Sequence, residues 1–269
     1  MMPPAVEATQ FDRAAADQMT KIISDLSRMY HERNEALQEV ARAHHEALLL
    51  LAMAAEYRDD DTGLHIVRIG FLAEALALRM GQSRHYAELL RKAAPMHDIG
   101  KIGIPDCVLK KPGPLTPAER QVMDRHPVIG ADILGKSRTP LFQLAAEIAL
   151  THHERWDGTG YPNRLSGEDI PLSGRLVSVV DFYDALTMDR IYRQAYDHGK
   201  VMDMLSRQSG KAFDPAIVDC FIHHGDELHA MRLAVKDNGT GFTQLIQNQS
   251  GSQQGPPYFQ GGNAACPPP

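Results

Sequence analysis

From about residue 47 to residue 234 the apolar residues recur every three or four positions, and sustained two-residue alternation is found nowhere. HIVRIGFLAEALALRM, ELLRKAAPMHDIGKIG, HPVIGADIL, LFQLAAEIALTHHE and RLVSVVDFYDALTM all carry this spacing. That period puts an apolar stripe on a helix and does not suit a half-buried strand. Gly and Pro gather instead in KKPGPLTP, RWDGTGYPNRLSGEDIP and SGKAFDP, which read as connectors. The pattern predicts an all-α bundle with no internal repeat.

The two ends differ from this middle. From Ile23 the apolar residues fall near heptad spacing at Ile23, Leu26, Tyr30, Leu37, Val40, His44, Ala47 and Leu51, with Arg33 interrupting the seam. This predicts one long helix, either half of a homodimeric coiled coil or an amphipathic helix packed on its own domain. After about Lys236 the chain is rich in Gly, Gln, Asn, Ser and Pro, too poor in apolar area to offset its ordering entropy. The expected organisation is an N-terminal helical segment over 1–47, a catalytic domain over 48–235 and a disordered tail over 236–269.

Composition removes several function classes. The longest apolar run, Ala47 to Ala55, is far below the ~20 residues of a membrane-spanning helix. No basic stretch precedes an apolar core at the N-terminus, so a cytoplasmic location is expected. A net charge of −6 argues against duplex nucleic acid as a partner. Cys107, Cys220 and Cys266 form neither a disulfide framework nor a CxxC metal site and read as idle thiols. GxxxxGK[ST] is missing, as is any supported Ser-His-Asp or Cys-His arrangement.

Thirteen histidines remain, several beside Asp or Glu. His97-Asp98 can serve a common cavity if a helix end presents both. Thr62 or Asp60 is expected to cap a helix on which Asp61, His65 and Arg68 share a face. His126 and the pair His152-His153 follow, and Asp181 stands inside an apolar helical run, where an unpaired carboxylate is costly to bury. One site can use His65, His97, Asp98 and Asp181; a second can use Asp98 as a bridge with His126, His152 and His153. Imidazole with carboxylate suits Mn, Fe and Zn. Two adjacent ions activate water and stabilise an in-line displacement at phosphorus. Lys101 can hold Asp98 or a phosphate oxygen, and Arg190 with Arg193 can clamp phosphates. Each of these residues alone also reads blandly, as a packed His, a capping Asp or a solvated basic face. His44-His45 and His223-His224 are pairs without such company.

HDIGKIGIPDCVLKKPGPLTPAER, HPVIGADIL, HHERWDGTGYP and VVDFYDALTMDRIYRQAY closely resemble, in order and spacing, the HD-GYP family, a branch of the HD phosphohydrolases. The likeness runs from about Leu48 to Met231, and Gly160-Tyr161-Pro162 is the name-giving triplet. It implies a helical bundle with a bi- or trinuclear centre of iron or manganese that hydrolyses cyclic di-GMP to pGpG and often GMP. The implied ligands are His65, His97, Asp98, His126, His152, His153 and Asp181, with Lys101 beside the catalytic water. Trinuclear members carry Glu where this chain has Asp61, one methylene shorter, so two ions are expected and a third hangs on Asp61. Arg190, Tyr192 and Arg193 fall where members contact phosphates and guanine. The loop from Arg155 to Pro162, with Gly160 and Tyr161, borders the site and is linked to binding GGDEF-type cyclases. Ile191, Met188 and Ala212 depart from the usual Pro, Ser and polar residue. Two other readings stand beside the enzyme. One is a non-catalytic sensor or scaffold; the other is a hydrolase of another cyclic dinucleotide or nucleotide.

Overall fold

The computed structural model describes residues 5–58, 63–189 and 194–235, with side chains from Arg13 onward. Among them the chain is all-α: helices and short 3-10 turns, no strand, and a single isolated bridge between Ser209 and Phe213. The tail over 236–269 lies outside the described residues. No described helix is long and apolar enough to cross a membrane.

Helix α1 runs Ala5–Arg58. The chain divides into two compact units, one ending at Glu46 and the other starting at Ala47. The first is a stretch of α1 on which Ile23, Leu26, Tyr30, Leu37 and Val40 are exposed in the single chain. The second holds the core.

That core is built around α2, Leu64–Arg79, whose residues from His65 to Ala77 are all buried. A helix that is apolar nearly all round belongs at the centre of a bundle. It packs against α3 (Arg84–Ala93), α8 (Leu172–Leu186), α10 (Pro215–His223) and α11 (Gly225–Ala234). A second layer pairs α6 (His126–Leu134) with α7 (Pro140–Thr151), and α7 also packs on α3 and α8. The short α4 (Asp106–Leu109) and α5 (Pro117–Met123) cover a satellite cluster of Ile104, Val108 and Leu109; α9 is His198–Gln208. Each fully buried Leu, Ile or Phe, such as Leu72, Ile148 or Phe221, stabilises the bundle by about 1.5–3 kcal/mol.

Helix ends place the site residues. The N-cap of α2 is Gly63, with φ 72°, and not Thr62 or Asp60 as expected; those two lie outside the described residues. A left-handed φ suits Gly, so the chain turns into α2 one residue later than the capping rule suggests. Asp61, expected to share a face of this helix with His65 and Arg68, also lies outside the described residues. At the other end, Gln82 N donates to Ala77 O and Gly81 N to Leu78 O, a Schellman ending made possible by Gly81 at φ 77°. Cys107 is an exposed, free thiol and Cys220 is buried in the core, while Cys266 lies outside the described residues.

Candidate metal centre

The candidate ligands all sit at element ends or on one face of a helix. His65 opens α2, and His126 is the first residue of α6. His152 caps the C-terminus of α7, with His153 next to it. His97 and Asp98 join the 3-10 turn Ala94–Met96 to the 3-10 turn Ile99–Gly103. Asp181 lies within α8. Among the described residues two groups could each hold a metal ion: His65, His97 and Asp181, and Asp98, His126, His152 and His153. In each group the donor atoms lie within 4.8 Å of one another.

Asp98 faces both groups. Its Oδ1 lies 3.1 Å from His126 Nε2 and 3.5 Å from His152 Nε2, and its Oδ2 lies 3.4 Å from His97 Nε2. Asp181 Oδ1 lies 3.2 Å from His65 Nε2 and 3.8 Å from His97 Nε2. Lys101 Nζ reaches Asp98 Oδ2 at 2.7 Å.

The outer ring nitrogens decide which way the imidazoles point. Nδ1 of His97 lies 3.0 Å from Ala94 O, and Nδ1 of His126 lies 2.8 Å from Met123 O. Nδ1 of His152 lies 3.1 Å from Ile148 O and 3.0 Å from Ala149 O. A carbonyl only accepts, so these Nδ1 atoms carry the proton and the Nε2 lone pairs face inward. His97 Nε2, His126 Nε2, His152 Nε2 and Asp98 Oδ1 are buried and have no hydrogen-bond partner. Buried acceptors turned toward one another with no donor between them are expensive unless a cation joins them. The residues therefore fit metal ions by number, chemistry and orientation.

Charge within the site follows the same logic. Burial alone would raise the Asp98 carboxyl, but the Lys101 ammonium, with His97, His126 and His152, outweighs it and holds the pKa well below the usual range. Burial lowers His152 and, more strongly, His153, keeping both rings neutral. Burial also opposes charge on His65, yet its hydrogen bonds to Asp181 and Asp184 outweigh that and raise it well above normal. Burial is likewise overcome at His97, raised by Asp98. A bound cation supplies the same positive charge and competes with those protons, so loading the site releases them.

The loop after His153 forms one wall. Tyr161 stacks on the His153 ring, with centroids 4.8 Å apart and planes at 22°. Arg120 lies over the Tyr161 ring at 5.6 Å and its Nη2 donates to the Tyr161 hydroxyl at 3.2 Å. Glu154, buried, anchors the loop by accepting from Asn163 N at 2.7 Å and Leu165 N at 3.0 Å. Gly160 is pressed onto the backbone: a Cβ there would lie 2.4 Å from Arg155 N and 2.6 Å from His153 O. Gly160→Ala is expected to push the loop off His153 and to cost about 1–3 kcal/mol of stability. Thermal unfolding and the fluorescence of Trp156, in the same loop, would register it; a wild-type Tm would contradict the close fit.

Pro162 follows Tyr161 in this wall. Asp61, Arg190, Tyr192 and Arg193 lie outside the described residues. Sequence reasoning missed four neighbours. Asp184, fully buried, accepts from His65 at Nδ1, 2.8 Å away, and so orients that ring. Its place three residues after Asp181 in the same apolar run was the available signal. Glu154 beside the His pair was another. Glu56 is buried near the site, and burial raises its carboxyl although Lys101 and His65 pull it down. Arg58 reaches the backbone after Lys101.

The chain resembles several known proteins. The HD domain family model matches residues 17–217. Over 192 residues the chain is 42% identical to a 3'3'-cGAMP-specific phosphodiesterase 2 of Vibrio cholerae, covering 71% of this chain and 37% of that one. It is 42% identical over 210 residues to a cyclic di-GMP phosphodiesterase of Thermotoga maritima, covering 78% and 57%. The figures for the cyclic di-GMP phosphodiesterase response regulator RpfG of Xanthomonas campestris are 44% over 187 residues, 70% and 50%. A solved cyclic GMP-AMP-specific phosphodiesterase of V. cholerae shares the fold at TM-score 0.55 and 18% identity, covering 76% of this chain and 53% of that one. The chain thus spans between 37% and 57% of the length of these three sequence relatives. An all-α bundle with paired His and Asp groups around an adjacent His-Asp defines the class. The chain belongs to the HD domain family, in its HD-GYP branch.

Proposed function

We propose that the chain is a metal-dependent phosphodiesterase that opens cyclic di-GMP to pGpG, with GMP as a further product. One observation supports this above the rest: buried, partnerless imidazole nitrogens from three separate elements turn toward the Asp98 carboxylate. A scaffold gains nothing from so costly an arrangement. The names of the relatives supply the substrate class.

In this reading His65, His97, Asp98 and Asp181 hold one divalent ion and Asp98, His126, His152 and His153 the other, iron or manganese in both. Asp61 is the residue that would serve a third. When bound, the ions supply a nucleophilic water at neutral pH and neutralise charge on the phosphoryl oxygens. The chain's own groups set the stage. Lys101 fixes Asp98 by its 2.7 Å contact and offers positive charge toward an incoming phosphate. Backbone carbonyls hold the tautomers of His97, His126 and His152. Gly160, Tyr161 and Pro162 form the rim, while Arg190, Tyr192 and Arg193 take the phosphates and guanine. Water adds at one phosphorus, the 3'-oxygen leaves with a proton as a hydroxyl, and the phosphate stays on the 5' side, as pGpG requires.

Anaerobically purified protein loaded with Mn(II) or Fe(II) is expected to convert cyclic di-GMP to pGpG, followed by chromatography, and to lose this with chelator. Tight cyclic di-GMP binding without turnover would replace the reading with a sensor. Preferred turnover of 3'3'-cGAMP would change the substrate.

Two partners belong to the proposal, in a cytoplasmic setting. GGDEF-type cyclase domains would meet the loop Arg155–Pro162; calorimetry with a purified cyclase domain that gives no heat would remove them. A second copy would cover the exposed seam Ile23, Leu26, Tyr30, Leu37 and Val40. Light scattering is expected to give a dimer mass that Leu26→Glu with Leu37→Glu reduces to a monomer; a monomeric parent chain would contradict it.

A further inference from the structure

We propose that Arg58 is a positioning residue of this site, acting through Lys101 on the direction of the Asp98 carboxylate. Arg58 ends α1. Its Nη1 donates to Lys101 O at 3.2 Å and Ile102 O at 2.7 Å. Its Nη2 donates to Ile104 O at 2.9 Å and to Asp106 Oδ1 at 2.7 Å. All four acceptors lie on one stretch, 43 to 48 residues along the chain.

That stretch is the 3-10 turn Ile99–Gly103, which starts from Asp98 and carries Lys101, together with the few residues after it. Packing holds its far side only in part: Ile102 is 51% exposed and Gly103 is exposed, while Ile104 just beyond is buried in the satellite cluster. The near side is fixed, because Gly100 is pressed so closely on α6 that a Cβ there would stand 1.9 Å from His126 O. The turn thus rests on His126 at one side and is tied at the other by one guanidinium and by the buried Ile104. A 3-10 turn leaves carbonyls without internal partners at its end, and a planar fork of donors can gather several at once. The Arg58–Asp106 ion pair contributes little itself, since Asp106 is 64% exposed. The carbonyl bonds add to the turn's own bonds, Lys101 N to Asp98 O and Ile104 N to Lys101 O, in holding its exposed side. If the Arg58 bonds are lost, the turn can tilt about Gly100, moving Lys101 Nζ and the Asp98 oxygen it holds. A displacement of about 1 Å at a reacting centre can lower a rate by about a hundredfold.

The proposal rests on the phosphodiesterase reading, and its test separates the two. The full chain, loaded with Mn(II), is compared with Arg58→Ala, Arg58→Lys, Lys101→Ala and the double variant Arg58→Ala/Lys101→Ala. Arg58→Ala is expected to lower kcat about a hundredfold with KM within about twofold. Arg58→Lys should recover little, because one ammonium cannot span four acceptors. The double variant should be no worse than Lys101→Ala, since both changes act on one path. Hydrogen exchange of the backbone over 98–106 should speed up in Arg58→Ala. Losses that multiply in the double variant, full activity in Arg58→Lys, or unchanged exchange over 98–106 would each overturn the proposal. If the parent chain turns over no cyclic dinucleotide, the functional reading falls. The exchange measurement and Mn(II) affinity, expected to weaken in Arg58→Ala, then decide the role of Arg58 alone.

Discussion

Asp98→Asn is expected to abolish turnover and strip much of the bound metal. The carboxylate has one oxygen toward His126 and His152 and the other toward His97 and Lys101. An amide keeps one acceptor and replaces the other with a donor, so it can serve at most one of the two groups, and without charge. Lys101, 2.7 Å away, would then face an uncharged partner. Losses of about 10–100-fold are typical for groups that only support metal ligands, and a ligand shared by two ions should exceed them. Metal content by mass spectrometry and steady-state turnover read the two effects separately. Activity close to that of the parent chain would rule out the bridging role.

Asp184→Ala is expected to give the largest loss of stability. Asp184 is fully buried and gathers three donors: His65 Nδ1 at 2.8 Å, Arg232 Nε at 2.7 Å and Arg68 Nε at 2.8 Å. The Arg68 contact is an ion contact without hydrogen-bond alignment. Burial pushes the Asp184 carboxyl up, but His65 and both guanidinium groups outweigh it and keep it ionised. Removing it strands two buried cations, which costs about 3–5 kcal/mol. For a domain of this size that is a fall in Tm on the order of 10 °C. Asp184→Asn, which keeps the shape, should fall less. The depressed carboxyl also gives a pH signature. Its folded pKa lies below the unfolded value, so its stabilisation is present above about 3.9 and fades as pH falls through the folded pKa. An unchanged Tm for Asp184→Ala would show that the hub does not bear on folding.

Much of this was legible in the chain. The three-to-four spacing predicts the bundle, and α2 realises it as a helix buried on every side. His65, His97-Asp98, His126, His152-His153 and Asp181 stand at five separate places in the sequence, and the fold brings them into two adjoining groups. What was not legible depends on tertiary partners. Asp184 shares its helical run with Asp181, and its meaning comes from Arg232, 48 residues later. Glu154 is visible beside His153, but the amides it holds belong to a loop whose path no periodicity gives. The start of α2 turned on the left-handed φ of Gly63, where the polar residues before it suggested a side-chain cap. Arg58 looks like an ordinary cation at a helix C-terminus until the carbonyls it gathers are seen.

Everything turns on whether cations occupy the space these side chains enclose. Anomalous diffraction at the manganese edge, from crystals of the full chain grown with Mn(II), tests this directly. Two peaks about 3.5–4 Å apart are predicted, one against His65, His97 and Asp181, the other against His126, His152 and His153, with Asp98 touching both. Well-ordered density for these residues with no manganese among them would contradict the account.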